Sequence, residues 1–209
     1  MGFAVLFGAA LILIRTSLPE HSEPGSQWLQ GAVGHLRISA ILMPFAGICF
    51  LWFIGVVRDG FGRYEDRFFA SVFLGSGLLF VAMLFVGAAV AGGLIAGQAQ
   101  SGAPTGPTLA YGRHVTSLLL NVYAMRMAAV FTLTTVTIAR HTKIVSRWLT
   151  IAGLVSALIL LFGSGIVAWA ELLFPVWILA LSIDILIGRS RASSAENPGT
   201  RPSSGQQLA

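Results

Sequence analysis

One arginine, Arg126, sits almost at the centre of residues 115–139, a run of twenty-five reading VTSLLLNVYAMRMAAVFTLTTVTIA. The run is long enough to cross a ~30 Å hydrocarbon core as a single helix. An arginine at that depth costs about 2.5–3.5 kcal/mol on insertion scales. Something must offset that cost: a carboxylate on another helix, backbone carbonyls freed from their own helix, or a bound anion.

The rest of the chain has the same apolar character. Its 209 residues are 56% hydrophobic and 10% charged, where a soluble domain carries about 25% charged residues. Mean hydropathy is +0.82. Too little charge remains to solvate a water-facing surface, so the composition points to an all-α integral membrane protein. The net charge of +5 comes from thirteen basic residues scattered between apolar runs. Topology explains that placement better than a nucleic-acid groove does, and no nucleic-acid partner is expected. Cys49 is the one cysteine, which rules out an internal disulfide or a cysteine metal site.

Six apolar runs are expected to cross the bilayer: 2–14, 38–57, 68–96, 115–139, 148–168 and 172–188. The first reaches only about 20 Å and reads as a short helix. It has neither the basic start nor the small-residue cleavage site of a signal peptide. Residues 15–37 hold Glu20, His21, Glu23 and His35, but no His pair has helical metal spacing, so no metal is expected. Trp28 suits an interfacial helix there. Residues 149–188 form nearly one apolar block, twice the length of one span. Gly163-Ser164-Gly165 and Trp169-Ala170-Glu171 are the candidate breaks, and the turn is placed at 169–171, because Trp169 and Glu171 belong at a membrane surface. Residues 97–114 read as a loop, and 189–209 as a disordered cytoplasmic tail without bulky apolar groups.

The basic residues orient the bundle. Arg58, Arg63, Arg67, Arg140, Lys143, Arg147, Arg189, Arg191 and Arg201 lie on one side; Arg15, Arg37 and Arg113 lie on the other. The positive-inside bias then predicts six spans in one domain, 1–188, with both termini in the cytoplasm. The third span carries Ser71/Gly75, Gly87/Ala91 and Gly93/Gly97, each four apart. Such faces suit close helix packing, within the chain, in a homo-oligomer or against another membrane protein.

Residues 38–87, with MPFAGICFLWFIGVVRDGFGRYEDRFFASVFLGSGLLFVAMLFVG at their heart, resemble a group of uncharacterised multi-pass membrane proteins of high-GC actinobacteria. The similarity extends loosely into 123–126 and the last span. It implies a plasma-membrane location and carries over no activity, cofactor or site residue.

Two acids are candidates to answer Arg126. Asp184 lies twelve residues below the outer end of the sixth span and Arg126 eleven below that of the fourth, a depth of about 16–18 Å for both. Their side chains would lean the same way. Glu171 is the second candidate. With Asn121 and Tyr123 on the arginine's own helix, these residues form the candidate intramembrane polar cluster. It serves either as a polar-substrate or proton site, or as a buried pair holding helices in register. No catalytic residue is assigned, since phosphate-loop, zinc-protease and serine-hydrolase motifs are all missing. Three readings follow. A membrane interaction or accessory protein comes first, a small transporter or channel second and an intramembrane enzyme last.

Overall fold

The structure, a computed structural model, describes residues 1–17, 27–61, 67–98, 106–142, 145–163 and 169–196. The segment with Glu20, His21 and Glu23, and the chain beyond 196, lie outside these residues. Helices make up nearly all of the described residues, and no strand occurs among them. In order they are α1 (Gly2–Ser17), α2 (Gln27–Phe61), α3 (Arg67–Gln98), α4 (Gly106–Ser117), a π-helical segment (Leu118–Ala124), α5 (Met125–Thr142), α6 (Arg147–Gly163), a 3₁₀ turn (Ala170–Leu172) and α7 (Leu173–Glu196).

Among the described residues six apolar helical stretches are present, and four are long and apolar enough to cross a membrane: Arg37–Asp59, Arg67–Gly97, Pro107–Arg140 and Ala170–Ile187. Gly2–Ile14 and Arg147–Gly163 are shorter. Several boundaries differ from expectation. The Trp28 region is part of α2, and the fourth helix starts at Gly106, inside the expected 97–114 loop. Helix α7 runs on to Glu196, well into the expected disordered tail. Continuing an existing helix costs far less than starting one, and Arg, Ala and Glu in 189–196 are good helix formers.

Threonines pose an obvious problem in α5, whose sequence includes TLTTVT. Each hydroxyl solves it locally. Thr132, Thr134, Thr135 and Thr137 donate to the carbonyls of Ala128, Val130, Phe131 and Leu133, at 2.7–2.9 Å. With no hydroxyl left seeking water, the stretch can be buried between neighbours.

Glycines set the register. Gly77 of α3 receives Ile54 and Phe131, Gly87 receives Leu120, and Leu94 of α3 sits on Gly112. Arg126 therefore lies midway between contacts made at α3 residues 77 and 87, opposite the midpoint of Arg67–Gly97. Gly47 of α2 packs on Val81 and Phe85, so that height is also the middle of Arg37–Asp59. We call the end with Arg58, Arg67, Arg140 and Arg147 the basic end.

At mid-height the core is a cluster of phenylalanines. Phe3, Phe7, Phe50, Phe80, Phe131 and Phe174 are at most 2% exposed. Phe50 has its ring centroid 4.6–6.0 Å from those of Phe3, Phe53, Phe80, Phe131 and Phe174, a range in which offset and edge-on aromatic pairs attract.

Two helices begin at this cluster and run opposite ways. Helix α1 starts with Gly2 beside Cys49, and the Ser39 hydroxyl reaches the Ala10 carbonyl further along, so α1 runs from mid-height toward the end opposite the basic one. Helix α7 starts with Phe174 in the cluster and runs toward the basic end, where the Ser146 N–H donates to the Asp184 carboxylate at 3.2 Å. Its first turn tolerates Pro175, where no intrahelical N–H is needed. Together α1 and α7 occupy the height of one crossing helix.

Helix α6 ends at Gly163, at one of the two expected breaks, and the described chain resumes at the other, with 164–168 outside the described residues. Trp169 takes a left-handed backbone (φ 68°), and the 3₁₀ turn follows. Its depth is the correction. Glu171 is buried at 5% exposure rather than placed at a surface. From Asp184 at the basic end back to Leu173 is eleven residues, only about 17 Å. Gly2, at the start of α1, lies beside Cys49 at mid-height of α2.

Candidate functional site

The polar residues of the arginine helix are arranged by the π-helical segment. Wider turns of this kind are rare inside α-helices and frequent at functional sites. Within it, the Asn121 amide donates to the Ser117 hydroxyl at 3.2 Å. Asn121 is half-buried, while Ser117, Leu118, Tyr123 and Arg126 are exposed. Tyr123 and Arg126 are three apart and share the outward face, as the spacing predicts.

Arg126 is thus on the outside of the bundle at mid-height. It makes no hydrogen bond or ion pair with any described residue. The reason is visible in α6. Gly153 packs against Val136 and Trp177, so ten residues on, at Gly163, α6 ends level with Arg126. From Met127 to Ala139 the arginine helix has no exposed residue. Above the end of α6 its face is uncovered.

The expected partners are elsewhere. Asp184 is half-buried at the basic end, bonded to the Ser146 N–H at the start of α6. Arg126 to Ser146 is twenty residues, of which the helical part alone spans about 24 Å. The expected Arg126–Asp184 pair is therefore not formed. Depth was counted from a turn placed at the surface, and that turn lies deep. Glu171 is buried and engaged by a partner other than Arg126. Of the expected cluster, Arg126 and Tyr123 are exposed on one helix, and Asn121 bonds to Ser117 rather than to the arginine.

Asp184 instead places a negative charge at the positive end of α6, which is worth about 1 kcal/mol. Asp184→Ala is expected to lose about that much, and Arg126→Leu to leave the isolated protein no less stable. Thermal unfolding of the double mutant in one detergent should return the sum of the single effects, because distant sites without shared partners add. Any recovery in the double mutant would restore the pair.

Open space also occurs beside α3. One such space is a groove of about 490 Å³ between α2 and α3, lined by Arg37, Ala40, Pro44, Phe85, Ala88 and Gly92 among others; another, about 10 Å³, lies under Gly87. Neither is lined by Arg126, Tyr123 or Asn121.

A helical bundle with four helices able to cross a membrane defines the class: a membrane protein with a polar face at mid-height. Compared with known proteins, the chain matches no family model, no curated protein and no solved structure.

Proposed function

We propose that this is a multi-pass plasma-membrane protein whose role is to bind another membrane-embedded protein through the Arg126 face. One observation carries the reading. Arg126 and Tyr123 lie on an outward face at mid-height, with half-buried Asn121 on the same helix, while the middle of the bundle is filled by phenylalanine rings. A cation in that position stabilises nothing inside the chain, and lipid cannot solvate it.

In this reading α2, α3 and α4–α5 cross the bilayer, α1 occupies one half, and α6–α7 form a hairpin that enters from the basic end and turns at mid-depth. Of the six crossings expected, three are complete. The basic end faces the cytoplasm, following the excess of Lys and Arg there. The resemblance of 38–87 to actinobacterial membrane proteins supports the plasma membrane as the location.

A small transporter is the second reading. Its support is the α1–α7 pair, since half-helices with N-termini meeting at mid-depth hold anions in some transporters. Against it, Phe3, Phe50, Phe80 and Phe174 close that junction, and the nearby turn carries an acid, Glu171.

Site-specific photo-crosslinking in native membranes tests the interaction reading. A photoreactive residue at Tyr123 is expected to give a discrete protein adduct that Arg126→Gln abolishes, while one at exposed Trp52 gives none. Adducts of equal yield at both positions, or at neither, would refute the proposal.

A further inference from the structure

We infer that the Arg126 face takes one transmembrane helix of a different protein, carrying a carboxylate at the middle of its span. The inference rests on the interaction reading above and names the partner's chemistry.

The face has the layout of a helix-docking surface. Helix α6 covers the arginine helix only as far as Gly163. Beyond that level Ser117, Leu118, Tyr123 and Arg126 are uncovered on successive turns. An apolar residue, a phenol and a serine-bonded amide lie along the same helix as one guanidinium that no described residue engages. The planar guanidinium fork matches a carboxylate in two parallel hydrogen bonds, and such a charged pair is strong where water is excluded.

Height selects among the anions. Lipid phosphates sit at the bilayer surface, ~15 Å from a residue at the centre of the hydrocarbon core. Arg126 lies opposite the midpoints of both Arg37–Asp59 and Arg67–Gly97, so its stem is too short to reach them. A carboxylate at mid-span meets it directly.

Charge argues against a second copy. In a two-fold dimer the same face meets itself and sets Arg126 beside Arg126. A head-to-tail contact needs an acid at the right height on the outside of the bundle. Among the described acids, Glu171 is buried, Asp184 is engaged at the basic end, Asp59 also lies at the basic end, and Glu196 lies twelve residues beyond Asp184 on α7.

The test uses the full chain with Cys49 replaced by alanine, labelled and reconstituted in phosphatidylcholine vesicles. The probe is a labelled polyleucine helix with Glu, Gln or Leu at its centre. Energy transfer should show the central-Glu helix binding about ten-fold more tightly than the Leu helix. Arg126→Leu should remove that advantage and Arg126→Lys should keep part of it. With the unmutated face, moving Glu two turns toward either end of the probe should also remove it.

Equal binding of the Glu and Leu helices would overturn the inference. So would modification of Tyr123→Cys in these vesicles by a charged, impermeant thiol reagent, which would reveal a water-filled vestibule. Self-association that Arg126→Leu abolishes would overturn it in favour of a second copy. If the Glu helix fails while the Tyr123 photo-adduct persists, only the partner's chemistry is wrong; loss of the adduct itself would remove the interaction reading.

Discussion

Phe50→Ala is expected to lower the unfolding free energy by about 3–5 kcal/mol, the range for large aromatic truncations in closed cores. Phe50 is fully buried on α2 and touches rings from α1, α3, α5 and α7. In a bilayer, helices gain little from leaving lipid for one another, so cohesion comes from packing contacts. Removing this ring opens a cavity at the one point where five helices meet. It also loosens the junction of α1 and α7, neither of which runs the full height of the bundle. Phe50→Leu should cost much less, because most of the volume remains. The measurement is reversible unfolding by denaturing detergent, compared across the two variants. A loss below about 1 kcal/mol for Phe50→Ala would mean that the neighbouring rings collapse into the space, and that α1 and α7 are held by other contacts.

Gly153→Leu is expected to separate α6 from both of its neighbours, at a cost at or above the 1–3 kcal/mol usual for overpacking. A side chain at residue 153 would meet Val136 of α5 on one side and the Trp177 ring of α7 on the other. Moving α6 away from one helix presses it against the other. The Trp177 ring is also pinned, since its N–H donates to the Leu149 carbonyl at 3.1 Å. Gly55→Ala is the matched control. Its position faces open space, so the change should be neutral or gain up to ~1 kcal/mol from helix propensity. Equal effects of the two substitutions would show that α6 docks loosely and that its end beside Arg126 is not fixed by packing.

The hairpin has a consequence for the basic end too. Asp184 holds the start of α6 there, and Trp177 holds the next turn. These two contacts set how far α6 reaches, and hence where its cover of the arginine helix stops.

Much of this was legible in the sequence. Apolar length located the helices, because a run of twenty uncharged residues has few other stable states in or out of lipid. Both candidate breaks were legible, one in Gly163-Ser164-Gly165, where α6 ends, and one in Trp169 and Glu171. The isolated Arg126, with Tyr123 three residues away, marked the candidate site. Depth was not legible. Hydropathy reports that residues 149–188 are apolar throughout, and an apolar hairpin reads the same whether it turns at the far surface or halfway. Only the contacts of Phe174, Trp177 and Asp184 decide it. That one difference moved Asp184 from a partner of Arg126 to a cap on α6. The direction in which Arg126 points was not legible either. A π-helical segment breaks the 3.6-residue phase on which face assignments rest, and whether a face is covered depends on where a neighbouring helix ends. Local sequence determined which residues are helical and which of them are charged. Tertiary packing decided that the charge faces outward, because α6 stops at Gly163 and no described residue continues past it along that face.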